Sequence, residues 1–95
     1  MIAPPAIVTQ PIGAEVRPGG TAVLSVVATG EGLTYQWFGP GGVALADSDG
    51  EIEGAATATL RILNVQSDDA GNYQVRIRNA GGFVDSEVVM IVIGE

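Results

Sequence analysis

The stretch Asp69-Ala70-Gly71-Asn72-Tyr73-Gln74-Val75 limits what this chain can fold into more than any other. An acidic residue, a glycine two places on and a tyrosine two further make a turn that feeds directly into a strand. Beyond it, Gln74, Arg76 and Arg78 alternate with Val75 and Ile77, the period of a half-buried strand. Before it, Leu60, Ile62 and Val65 end another strand and plug the turn. Residues 66–70 predict one helical turn at this corner, capped by Asp69. An Asp69–Arg61 ion pair is the weaker alternative.

Turn signals divide the rest of the chain into short strands. Residues 1–5, with two consecutive prolines, read as a linker leading into a single domain over 6–95. Residues 7–10 form an edge strand stopped by Pro11, and 12–16 continue that edge on the other sheet. Arg17-Pro18-Gly19-Gly20 reverses the chain. Residues 21–29 then alternate with Ala22, Leu24, Val26 and Ala28 inward. The next strand turns Leu33, Tyr35 and Trp37 inward and Thr34, Gln36 and Phe38 outward. Gly39-Pro40-Gly41-Gly42 is a second strong turn. Residues 43–45 suggest one brief strand, 47–54 the least structured stretch, and 57–63 a strand with Leu60 and Ile62 inward. A strand to Asn79 and another from Phe83 to Ile93 are joined by the hairpin Asn79-Ala80-Gly81-Gly82. Short strands every 8–12 residues predict an all-β, two-sheet antiparallel Greek-key sandwich.

Composition narrows function by exclusion. With no His, Cys or Lys, the usual general bases and nucleophiles are missing, so catalysis is not expected. Absent cysteine also removes disulfides and thiolate metal sites. A net charge of −7 repels phosphate backbones and anionic lipids, so no nucleic-acid partner is expected. No run approaches the roughly 20 apolar residues that cross a bilayer, so no membrane insertion is expected either.

The core anchors carry a family resemblance. Trp37 stands eleven residues after Val26, and Val75 stands two after Tyr73. The motif around Tyr73, with Leu33-Thr34-Tyr35-Gln36-Trp37 before it, resembles the I-set branch of the immunoglobulin domains. More narrowly, it resembles the cysteine-free domains repeated in bacterial surface proteins. In that family two cysteines join the sheets, the tryptophan packs on their bridge, and the tyrosine forms a corner. Here both cysteine positions are valine. The resemblance implies that Val26, Trp37, Leu60, Asp69, Tyr73 and Val75 are structural, with the Tyr73 hydroxyl bonded to backbone near Asp69. A bridge over about fifty residues would stabilise by roughly 4 kcal/mol. Two buried valines recover part of that, at about 1.5–3 kcal/mol each.

Expectations about function follow from the same resemblance. It implies a non-catalytic spacer and adhesion module of a larger bacterial extracellular, cell-surface or virion protein. Its partners would be neighbouring domains or another protein. A contact face is read from alternation: Val88, Met90 and Val92 point outward beside Phe38, Arg76 and Arg78, a surface suited to protein contact or a homodimer. The alternative is a module binding calcium or carbohydrate. For calcium, Asp47, Asp49, Glu51 and Glu53 put four carboxylates within seven residues, although the full calcium-loop spacing fails because the twelfth position is Ala58. No cofactor is expected.

Overall fold

The computed structural model describes residues 2–94; Met1 of the expected linker and Glu95 of the expected domain lie outside the described residues. Ten strands and two 3-10 turns make up the described chain: β1 (Ala6–Thr9), β2 (Ala14–Val16), β3 (Ala22–Ser25), β4 (Val27–Thr29), β5 (Thr34–Phe38), β6 (Ile52–Glu53), β7 (Thr59–Ile62), β8 (Gly71–Asn79), β9 (Gly82–Asp85) and β10 (Val89–Ile93). One layer holds the ladders β1–β4 and β3–β7–β6. The other runs β2–β10–β8–β5, with β9 continuing beside β8. Every strand pair is antiparallel except β2 with β10, which is parallel. The switch at Pro11 explains this: β1 pairs in one layer, and after the buried proline β2 joins the other beside the last strand.

Alternation placed the core. Ala22, Leu24 and Val26 are buried from one layer, and Trp37, Tyr73, Val75, Ile77 and Ile91 from the other, with Leu60, Ile62 and Val65 beside them. Trp37 and Val75 are direct cross-strand partners. The indole Nε1–H, which would otherwise be an unsatisfied donor in an apolar core, donates to the Thr57 carbonyl at 2.7 Å. Val26 and Val75 therefore fill the same core by packing alone.

Several expected strands are divided or moved. The run over 21–29 is two strands, because β3 pairs with β7 and β4 with β1. At the break the Val26 amide donates to Ala58. The strand over 57–63 shortens to Thr59–Ile62, since the Thr57 hydroxyl bonds Gly54 and Thr59 backbone and holds a turn. Residues 43–45 form only a single bridge, Phe38 with Ala44. Conversely, 47–54 contains β6: Glu51 donates to the Ser48 carbonyl across Gly50, at φ +73°, and Ile52 comes opposite Ile62. The positive φ of that turn suits glycine.

The final strand is also divided. Asp85 lies opposite Arg76 but Val89 opposite Tyr73, so residues 86–88 face only Gln74 and Val75. This bulge shifts the side-chain phase. Val84 and Ser86 point inward before it, Val89 and Ile91 after it.

Candidate functional site

The corner around Tyr73 sets the frame. Ser67–Asp69 form a single 3-10 turn with Gln66 at its N-cap and Asp69 at its third position, and the Gln66 amide donates to the Asp69 carboxylate at 2.9 Å. The Tyr73 hydroxyl donates to the Asp69 carbonyl at 2.5 Å. Burial, with the Asp69 charge adding to it, pushes the phenol up to about 12. Arg61 lies instead 3.9 Å from Glu53, both well exposed. Val26, Trp37, Leu60, Tyr73 and Val75 are all buried.

The residues expected at a contact face lie on one surface of the β2–β10–β8–β5 layer. Cross-strand pairing sets Thr34, Gln36 and Phe38 of β5 beside Arg78, Arg76 and Gln74 of β8. On the other side of β8 lie Phe83, Asp85 and Met90, opposite Arg78, Arg76 and Asn72. Val88, Met90 and Val92 are 55%, 55% and 46% exposed. Val88 meets Phe38, Asn72 and Gln74 around a shallow recess of about 280 Å³. Val92 stands apart from it, opposite Glu15 on β2.

Alternation over 83–93 missed three residues that shape this face. Phe83 is 56% exposed and joins it, because the bulge reverses the phase between Phe83 and Met90. Asp85 forms a two-point ion pair with Arg76, at 2.7 and 3.0 Å, and the Arg76 guanidinium sits 4.5 Å above the Phe83 ring. The hydrogen bond from Arg76 holds the Asp85 carboxyl below its ordinary value and raises that of the guanidinium. Ser86 is a buried polar residue whose hydroxyl accepts the Val75 amide at 3.0 Å and donates to the Glu87 carbonyl. The signals were present but faint: Asp85 is an opposite charge across a hairpin, and Ser86 a polar residue in an apolar strand.

The acidic loop behaves differently. The Asp47 carboxylate accepts the Ala55 amide at 2.8 Å, and Glu53 faces Arg61. Asp49 and Glu51 are exposed. Among the described residues no group of three or more acidic, His or Cys side chains is gathered to hold a metal. The loop's carboxylates serve the turn or face solvent. Among the described residues no helix is long and apolar enough to cross a membrane.

Two facing β-layers with a tyrosine corner and a tryptophan packed between them define an immunoglobulin-type sandwich, here without a disulfide. Residues 4–79 match the immunoglobulin domain family, and the chain belongs to it. It is 30% identical over 90 residues to a muscle M-line assembly protein, unc-89, of Caenorhabditis elegans, covering 95% of this chain but 1% of that protein. Among solved structures, titin M4 superposes with a TM-score of 0.87 at 21% identity, covering 99% of each chain. A mutant complex of titin M10 with obscurin-like 1 Ig gives 0.85 at 29% identity, covering 100% of this chain and 97% of the other.

These relatives correct one expectation. The resemblance to bacterial surface domains implied a bacterial, extracellular or cell-surface location; the relatives just described are instead a nematode muscle M-line protein and titin. That location is withdrawn.

Proposed function

We propose that this domain is a non-catalytic protein-contact unit of a longer protein, and that it makes contact through the exposed face of the β2–β10–β8–β5 layer. The observation that carries the reading is the set of large apolar side chains left in solvent along that face: Phe83, Val88, Met90 and Val92. Single exposed hydrophobics are ordinary, but several on one sheet face mark a surface that a partner covers. Two arginines and two aromatic rings on the same face suit protein interfaces, where Arg and aromatic residues are enriched. The titin M10–obscurin-like 1 Ig complex supports the same reading, since a relative of comparable shape engages a partner protein.

In this reading residues 1–5 link the domain to what precedes it. Residues 2–5 are held rather than loose: Asn79 donates to the Ala3 carbonyl at 3.0 Å and Pro5 is buried. Val26, Trp37, Leu60, Asp69, Tyr73 and Val75 belong to the core and the corner in this reading and take no part in the contact face.

The test is sedimentation of the isolated domain over a concentration series, compared with the Arg76→Glu/Met90→Ser double variant. A reversible dimer that the double variant dissociates supports pairing through this face. A dimer that persists unchanged in the variant refutes it. If the domain is monomeric, the same variant, placed in the longer protein, is expected to lower affinity for neighbouring-domain fragments; unchanged affinity would also refute the reading.

A further inference from the structure

Five aspartates are spread along the chain, and each is followed by a backbone amide able to attack its side chain. The fold engages four of those amides. Ser48, after Asp47, donates to the Ile52 carbonyl, and Asp69, after Asp68, donates to Gln66. Ala70, after Asp69, donates to Ser67, and Ser86, after Asp85, donates to Val75. Three of the four carboxylates are engaged as well: Asp47 by the Ala55 amide, Asp69 by the Gln66 amide and Asp85 by Arg76.

Asp49 differs on both counts. Among the described residues, neither its carboxylate nor the Gly50 amide has a hydrogen-bond partner. Both residues are exposed at the tip of the turn that the Glu51 amide closes on the Ser48 carbonyl. A Cβ built on Gly50 meets nothing within 4 Å, so no neighbour shields the attacking nitrogen.

We propose that Asp49 is a site of spontaneous isomerisation, where the main chain reroutes through the aspartate side chain. The Gly50 nitrogen attacks Cγ of Asp49. The N–Cγ bond forms, and the amide proton leaves with the carboxyl OH as one water. Holding nucleophile and electrophile in one small ring makes the step effective without a catalyst. Water then opens the succinimide. Attack at Cγ restores aspartate, whereas attack at the Asp49 backbone carbonyl breaks its bond to the Gly50 nitrogen. The second route leaves the main chain running through Cβ and Cγ, with a carboxylate on Cα. Mass and oxidation state are unchanged, since the water lost is the water regained.

The consequence is local. One extra main-chain carbon enters a turn whose ends are fixed by the paired Ser48–Ile52 bonds, and it works against the register that sets Ile52 opposite Ile62. Ala55, just beyond, is held separately by Asp47 and by Trp37. The converted domain therefore loosens β6 and keeps its core. This edge belongs to the layer opposite the proposed contact face, so the two readings fail separately.

Prolonged incubation of the folded domain in warm, mildly acidic buffer, followed by peptide mapping, provides the test. Isoaspartate is recognised by unchanged mass, altered retention and resistance to a protease that cleaves before aspartate. Conversion at Asp49 should be at least about tenfold faster than at each other aspartate, because a bonded amide must open before it attacks. Incubation in urea should narrow that ratio by freeing Asp47 and Asp85, each followed by serine. Asp49→Glu should abolish conversion at this position, since the larger ring closes poorly. The purified converted form should lose amide-exchange protection about tenfold at Ser48, Ile52 and Leu63, whose partners lie across the turn, and retain it at Trp37. Conversion no faster at Asp49 than at Asp85 in the folded domain overturns the proposal, as does a ratio that urea leaves unchanged. Full protection at Ser48 and Ile52 in the converted form overturns its local consequence.

Discussion

The Ser86 hydroxyl accepts the buried amide of Val75 at 3.0 Å, and the Ser86 amide donates to the Val75 carbonyl at 2.9 Å. A side chain thus completes the β8 ladder where the 86–88 bulge interrupts it. The bulge has a structural use: it lets Val84 face the core before it and Ile91 after it, while Phe83 and Met90 share the outer face. Without Ser86 the Val75 amide would lie in an apolar core with no partner.

Ser86→Ala is therefore expected to destabilise by about 1–3 kcal/mol, the cost of an orphaned buried donor. Urea melts measure it. A loss within experimental error would show that water or a shifted backbone replaces the hydroxyl.

The Tyr73 hydroxyl bonds the Asp69 carbonyl, and Tyr73→Phe should cost about 1–2 kcal/mol at neutral pH. The pH dependence has a definite sign. The phenol is pushed up to about 12 in the folded state from an ordinary value near 10, so the protonated form is favoured by folding. Its contribution is complete below about pH 10 and is lost as pH rises through about 12. Stability of the native sequence should fall across that window, and Tyr73→Phe should flatten the fall. Equal slopes in both proteins would exclude Tyr73 as the source.

Asp85 works at the other end of the scale. Its carboxyl is held below its ordinary value by the Arg76 hydrogen bond, so the pair stabilises above the ordinary carboxylate range and the benefit is lost as pH falls through the lowered value. Each side chain of the pair is about one-third exposed, and solvent screening keeps the effect small and sensitive to salt. Asp85→Asn should remove a shallow acid-side slope in thermal melting and leave the melting temperature at pH 7 within a few degrees. A large drop at neutral pH would mean that the pair orders the hairpin and not merely its surface.

The sandwich was legible because burial imposes a period of two and the corner imposes a fixed motif. Ala22, Leu24 and Val26, and likewise Trp37, Tyr73, Val75 and Ile77, announce their faces by alternation alone. Hydrogen-bond partners chosen across the sheet are less visible. Nothing local in 21–29 marks Val26 as the point where one strand exchanges β7 for β1, and a two-residue strand such as β6 exists only because Ile62 offers it a partner. The proposed contact face was half legible for the same reason. Val88, Met90 and Val92 follow the period, whereas Phe83 and Asp85 enter only once the bulge has shifted it. Location was least legible, since sandwich physics is indifferent to the protein that carries it.

Val75 offers the sharpest test of a core without a staple. It is fully buried, sits directly across from Trp37, and its backbone is tied on both sides to Ser86. Those bonds fix the strand, so neighbouring side chains have little freedom to collapse into a space left beside the indole. Val75→Ala should therefore cost about 2–3 kcal/mol through lost burial plus a residual cavity. Leu substitution at the same place should also destabilise, since extra volume against Trp37 has nowhere to go. The midpoint of urea unfolding, with an unchanged slope, is the measurement. A loss below roughly half a kcal/mol for the alanine variant would mean that the space beside Trp37 closes without Val75, and that the sandwich does not depend on this valine.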